Sequence, residues 1–118
     1  MMTITLKRAY EAAQPTDGYR ILADRLWPRG IKKETFALDL WAKDVAPSTE
    51  LRKEYHQHQD FELFKAAYLK ELNANPAVED FLNNISEQPH ITLLTAVKEV
   101  ARSELPILKA FIEQRLGR

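Results

Sequence analysis

The stretch "HITLLTAV", residues 90–97, constrains the fold more than any other. It is almost continuously apolar and rich in branched residues. A strand exposed on one face alternates apolar and polar side chains, and this one does not. Such a run suits a strand covered on both faces, as in a parallel sheet flanked by helices. A strand of that kind implies a helical crossover, right-handed by default.

The other elements are read around it. Residues 3–10 alternate, with Ile4, Leu6 and Tyr10 on one parity and Thr3, Thr5 and Lys7 on the other, which predicts a half-exposed strand. Pro15, Asp17 and Gly18 mark a turn. A second strand is predicted over 19–27, "YRILADRLW". It would point Leu22, Asp24 and Leu26 one way and Ile21, Ala23, Arg25 and Trp27 the other. Pro28 and Gly30 stop it. A short extended segment follows and ends at Pro47.

Helices account for most of the rest. Ser48 or Thr49 caps one that carries Glu50 in its first turn. Asp60 caps the clearest one, whose stripe is Phe61, Phe64, Tyr68 and Leu72. Asn75-Pro76 opens a third, with Val78, Phe81, Leu82 and Ile85 on its apolar face. The last begins near Ser103, holds Pro106 in its first turn, and buries Leu105, Leu108, Ile112 and Leu116. The expected fold is one α/β domain over residues 1–118, with a mixed, mostly parallel sheet of about four strands flanked by helices.

Composition narrows the function classes. Lysine plus arginine number 17 and aspartate plus glutamate 17, so the net charge is zero. A general nucleic-acid coat carries excess positive charge, and this chain does not. There is no cysteine, which removes disulfides, thiolate nucleophiles and cysteine-based zinc sites. No stretch approaches the roughly 20 apolar residues of a spanning helix, and the first ten residues lack a signal-peptide core. The expectation is a cytoplasmic protein without a membrane partner. Gly18, Gly30 and Gly117 are the only glycines, too few and too scattered for a phosphate-cradling loop, which weakens a nicotinamide or P-loop nucleotide reading and leaves the cofactor unknown.

Charge is uneven along the chain. Between residues 20 and 33, Arg20, Arg25, Arg29, Lys32 and Lys33 face Asp24 alone, a local net of +4. In open α/β sheets, ligands bind beyond the carboxyl ends of the strands. Arg25, Trp27 and Arg29 are predicted near one such end and Lys98 near another. Arginine forks recognise phosphate and carboxylate in bidentate geometry. Ser48 and the backbone of the helix it caps would complete an anion site. Asp24, on the parity of Leu22, needs a partner if buried, and Arg52 and Arg29 are the candidates. Against this stands a purely structural role, with Asp24 and Arg25 in ion pairs and Trp27 in the core. A zinc site would need His56, His58 and Asp60 or Glu54, but residues two apart on a helix diverge by about 200°. No metal is expected.

Four blocks line up together: "DGYRILADRLWPRGIKK" at 17–33, "LDLWAKDVAPSTELRKEYH" at 38–56, the aromatic helix at 61–72, and "ITLLTAVKE" at 91–99. Over nearly the whole chain they resemble the YeaO-like family of uncharacterised bacterial proteins, a domain of unknown function. The resemblance implies a small α/β domain and no stated reaction. It also implies a tyrosine at the end of the last strand and an Asn-His pair before the C-terminal helix. Thr95 stands at the first position, and Ser103 and Glu104 at the second.

The function expected from the sequence is therefore binding of an anionic ligand at the basic turn after the second strand. Its class would be a nucleotide or a phosphorylated or carboxylated metabolite. The alternative is an interaction module that grips nucleic acid or an acidic protein with the same turn and performs no catalysis.

Overall fold

A computed structural model describes residues 2–117. Its centre is the strand that the apolar run predicts. β1 (Thr3–Arg8), β2 (Tyr19–Leu22), β3 (Leu40–Trp41) and β4 (His90–Thr95) form one sheet in the order β1-β4-β2-β3. Every pairing is parallel, so among the described residues the antiparallel component of the expected mixed sheet is missing. β4 is flanked by β1 and β2, and Ile91, Leu93 and Leu94 are fully buried. Each such side chain contributes about 1.5–3 kcal/mol through loss of apolar surface from water.

The two faces of the sheet are covered differently. Ile4, Ile21, Ala23, Ile91 and Leu93 pack on the helices α1 (Thr49–His58), α2 (Phe61–Ala74), α3 (Val78–Ile85) and α4 (Leu105–Arg115). The opposite face presents Ala9, Leu22 and Leu94, and among the described residues no helix packs on it. Its cover is the connection between β2 and β3, which contributes Trp27, Ile31, Phe36 and Leu38, with Trp41 from β3 itself. Trp27 packs edge-on to Phe36 at 5.4 Å and to Trp41 at 5.2 Å between centroids. Both indoles find carbonyl acceptors: Trp27 Nε1 donates to Ile31 at 2.7 Å, and Trp41 Nε1 to Asp24 at 2.7 Å. Parallel neighbours usually need a helix to carry the crossover. Here an aromatic loop buries the second face in its place.

This arrangement corrects the predicted second strand. β2 stops at Leu22, five residues short of Trp27. The chain then folds back, so alternation no longer governs side-chain direction. Trp27 ends on the Leu22 side, opposite to expectation, and Leu26, expected beside Leu22, is 73% exposed. Entry into β2 depends on Gly18, whose φ is +67° and where a Cβ would fall 2.4 Å from the His90 carbonyl oxygen.

The helices follow their sequence signals closely. Ser48 and Asp60 cap α1 and α2, their side chains accepting from Leu51 N and Leu63 N. Phe64, Tyr68 and Leu72 are the buried stripe of α2. Asn75 accepts from Ala77 N at 2.9 Å, and α3 begins two residues later than predicted, at Val78.

Candidate functional site

All four strands end on the same side, and there the segments that follow β3 and β4, with α1 and α2, enclose a cavity of about 540 Å³. That size lies within the usual range for small-molecule sites. Its wall combines α1, through Arg52, Tyr55 and His56, with the connection after β4, through Lys98, Arg102 and Glu104. Arg52 and His56 also border an adjoining hollow of about 410 Å³, which takes in Arg25 and Lys53 and no acidic side chain.

The scaffold around the cavity is held by directed hydrogen bonds. Arg8 donates to the carbonyls of Val97 and Ala96 at 3.3 and 3.2 Å and so fixes the chain that carries Lys98. Tyr55 Oη donates to the Arg102 carbonyl at 2.9 Å, and Arg102 Nη2 to the Gln59 carbonyl at 3.2 Å. These two bonds tie the end of α1 to the short turn at Val100–Arg102. Tyr68, fully buried on α2, donates to the Val45 carbonyl at 2.7 Å. Burial first, then the charges of Glu104 and Glu71, push its phenol well above 10.0.

Two carboxyl groups lie against each other at this edge of the sheet, and one of them, Glu104, lines the cavity. Asp24 follows β2 and is 3% exposed. Its Oδ1 accepts from Thr95 Oγ1 at 2.7 Å and its Oδ2 from Ala96 N at 2.7 Å. Neither donor carries a formal charge. Glu104 stands beside it immediately before α4, is 5% exposed, and lines the cavity. Its Oε2 is buried without a hydrogen-bond partner. Burial, the neighbouring Asp24 charge and the hydrogen bond to Asp24 raise the Glu104 pKa well above 4.5; its own backbone and Arg52 pull it down less. Burial beside Asp24 thus favours the neutral form of Glu104.

Each residue singled out from the sequence now has a place. Arg52 and Lys98 line the cavity, and Asp24 lies behind Glu104. The expected pairing of Asp24 with Arg52 or Arg29 does not form, because Thr95 and Ala96 already occupy both oxygens. Arg25 turns to the β3–α1 connection, donating to the carbonyls of Pro47 and Ala46 at 3.1 and 2.9 Å. Trp27 belongs to the aromatic cover of the other face. Arg29 is exposed and lies outside both hollows, its carbonyl accepting from Tyr10 Oη. The convergence of Arg25, Arg29 and Lys98 is therefore absent.

Ser48 is also engaged. Its N–H and Oγ both donate to the Glu71 carboxylate, at 2.9 and 2.5 Å. The start of α1 is an anion site, as the sequence suggests, but the anion is a side chain of the same molecule. His56 and His58 are exposed on α1, and among the described residues no three His, Asp or Glu side chains are grouped to hold a metal ion.

Sequence reasoning weighed His56 only as a metal ligand and missed its place on the cavity wall, Arg102, and the pairing of Glu104 with Asp24. Glu104 had a signal: an acid directly preceding the apolar start of α4, at the place where the resemblance expects a histidine. His56 and Arg102 had none, because their relevance comes from the packing of α1 against a turn far away in sequence.

Fold and cavity together define a small parallel α/β domain with a ligand-sized hollow at the carboxyl edge of its sheet, lined by Arg52, Lys98 and Arg102 and by the acids Glu99 and Glu104. The chain belongs to the DUF488 family: the model described as the inactive DUF488-N3 subclade matches residues 3–118. It is 44% identical over 108 residues to the uncharacterized protein YeaO of Escherichia coli, covering 91% of this chain and 94% of that one. It is 39% identical over 113 residues to the uncharacterized proteins Mb3100c of Mycobacterium bovis and Rv3073c of Mycobacterium tuberculosis, covering 95% of each chain. No solved structure matches. Among the described residues no helix is long and apolar enough to cross a membrane.

Proposed function

We propose that this protein is a non-catalytic binding domain for a small anionic ligand, a nucleotide or a phosphorylated or carboxylated metabolite. The ligand sits at the carboxyl edge of the sheet, between Arg52 and Lys98, and not at the turn around Arg29. The observation that carries the reading is the state of these two cations. Both are exposed on the cavity wall, and neither makes a hydrogen bond or ion pair among the described residues. Arginine and lysine without partners in a concave site are the usual means of holding phosphate or carboxylate.

The absence of catalysis is supported from the residues and from the family. Ser48 is committed to Glu71 and Leu51, and Ser103 to Val100 and Leu105, so neither hydroxyl is poised beside a base. Thr95, Ser103 and Glu104 replace the tyrosine and Asn-His pair that the family resemblance implies. The subclade's description as inactive agrees with that replacement.

Calorimetric titration with inorganic phosphate tests the reading on three proteins. The wild type and Arg29→Ala should bind equally, and Arg52→Ala should lose at least tenfold in affinity, the effect of one charge-assisted hydrogen bond. Unchanged binding in Arg52→Ala contradicts the assignment.

A further inference from the structure

The adjoining hollow of about 410 Å³ is a second place for negative charge. Thr49, Arg52, Lys53, His56 and Gln57 recur at spacings of three and four and share one stripe of α1. Arg25 and Leu26, from the turn after β2, complete the wall. Arg25, Arg52 and Lys53 bring positive charge to it, and no acid lines it. Glu50 and Glu54 belong to the same helix, but neither lines the hollow, and among the described residues neither pairs with Lys53.

The fold does not neutralise these cations. Arg25 donates from Nε and Nη2 to the Pro47 and Ala46 carbonyls. Those acceptors are neutral, so they fix the guanidinium beside the hollow without cancelling its charge. Its Nη1 has no acceptor among the described residues. Lys53 is exposed and makes no hydrogen bond or ion pair there either. Elsewhere the same chain does pair its cations, as Lys7 and Arg20 share Asp17. Like charges gathered around one concavity repel each other, and a bound anion relieves that repulsion.

Arg52 and His56 are common to both hollows. Four residues apart on α1, they form a ridge with Tyr55 and Gln59 on one side and Lys53 and Gln57 on the other. The first cavity carries the acids Glu99 and Glu104 on its wall, whereas the ground beyond the ridge carries none. We propose that the ligand bears two anionic groups on a short backbone, one between Arg52 and Lys98 and the other across the ridge, on Arg25 and Lys53. Its class is a metabolite with two separate phosphate or carboxylate groups. This rests on the anion-binding reading above and narrows its ligand.

The probes are methylene-, ethylene-, propylene- and butylenebisphosphonate, each compared with the alkylphosphonate of equal chain length. Calorimetry on the full chain reports both affinities. One bisphosphonate should bind roughly tenfold or more tighter than its counterpart, the gain of a charge-assisted contact. Lys53→Ala should lose that gain and keep the alkylphosphonate affinity, and it breaks no bond of the fold. Lys65→Ala removes an equal charge from the exposed side of α2, outside both hollows, and should keep the gain. If the second phosphonate adds nothing at any length, or Lys53→Ala keeps as much of the gain as Lys65→Ala, the second site is wrong and the first anion site stands. If neither series binds, both readings fall.

Discussion

Two buried acids at opposite ends of β2 are treated in opposite ways. Asp17, just before the strand, is 5% exposed and fully partnered. Lys7 Nζ reaches its two oxygens at 3.1 and 3.0 Å, Arg20 Nη1 donates to Oδ2, and Gln14 N donates to Oδ2 at 3.0 Å. Burial alone would raise its pKa, but the hydrogen bonds from Gln14, Lys7 and Arg20 and the Lys7 charge outweigh burial and hold it below 3.8. Asp24, just after the strand, has neutral donors only and a second carboxyl, Glu104, against it. The first cluster closes the end of the sheet away from the cavity; the second sets two carboxyls against each other beside it. One acid is matched with cations, and the other pair is matched with neutral donors and with itself.

The largest test of this contrast is Asp17→Asn. It leaves Lys7 and Arg20 without their counter-charge in a nearly dry site, and stability should fall by about 3–5 kcal/mol in denaturant titration. A loss under ~1 kcal/mol would mean that the cluster is ornamental.

Glu104→Gln should do the reverse. It removes an ionisable group that folding forces to hold a proton. The gain at neutral pH is about 1.4 kcal/mol for every unit by which the folded pKa exceeds the ordinary 4.5, up to the working pH. The two acids also give opposite pH slopes. Asp17, depressed on folding, stabilises fully above its unfolded value near 3.8, and that contribution is lost as pH falls through the lower folded value. Glu104, raised on folding, contributes fully below about 4.5, and that contribution is lost as pH rises through the folded value. Melting followed across pH should therefore show a decline above 4.5 that the Glu104→Gln variant lacks.

Smaller effects sharpen the picture at the start of α1. Ser48→Ala removes the cap and the Glu71 contact together and should cost about 1–2 kcal/mol. Arg52→Ala touches an exposed side chain and should change stability by less than about 0.5 kcal/mol while removing phosphate binding. An Arg52→Ala variant that melts far below the wild type would assign this residue to the fold instead.

The same contrast explains what was legible in the sequence. β4, the stripe of α2 and the caps Ser48 and Asp60 announce themselves because they depend on local periodicity and local hydrogen bonds. The end of β2 does not. Residues 23–27 continue its apolar pattern, and only the long-range docking of Trp27 onto Trp41 and Leu22 turns the chain away. The basic turn was visible as charge, yet charge along the chain does not show direction. Arg25 reaches back to a loop, Arg29 stays in solvent, and Lys33 lies over the Trp27 and Trp41 rings at 5.4 and 5.7 Å. Of the residues expected at a site, those that meet the cavity come from α1 and the end of β4, brought together by the parallel sheet.

The most direct measurement is a carbon-detected NMR titration of the side-chain carboxyl groups in the folded wild type. Asp17 should titrate below 3.8 and Glu104 well above 4.5, spreading the two apart in opposite directions from their ordinary values. Ordinary titration of Glu104, or a Glu104 that ionises in the same range as the exposed glutamates, would contradict the account. It would mean that the Glu104 carboxyl is solvated and not buried against Asp24.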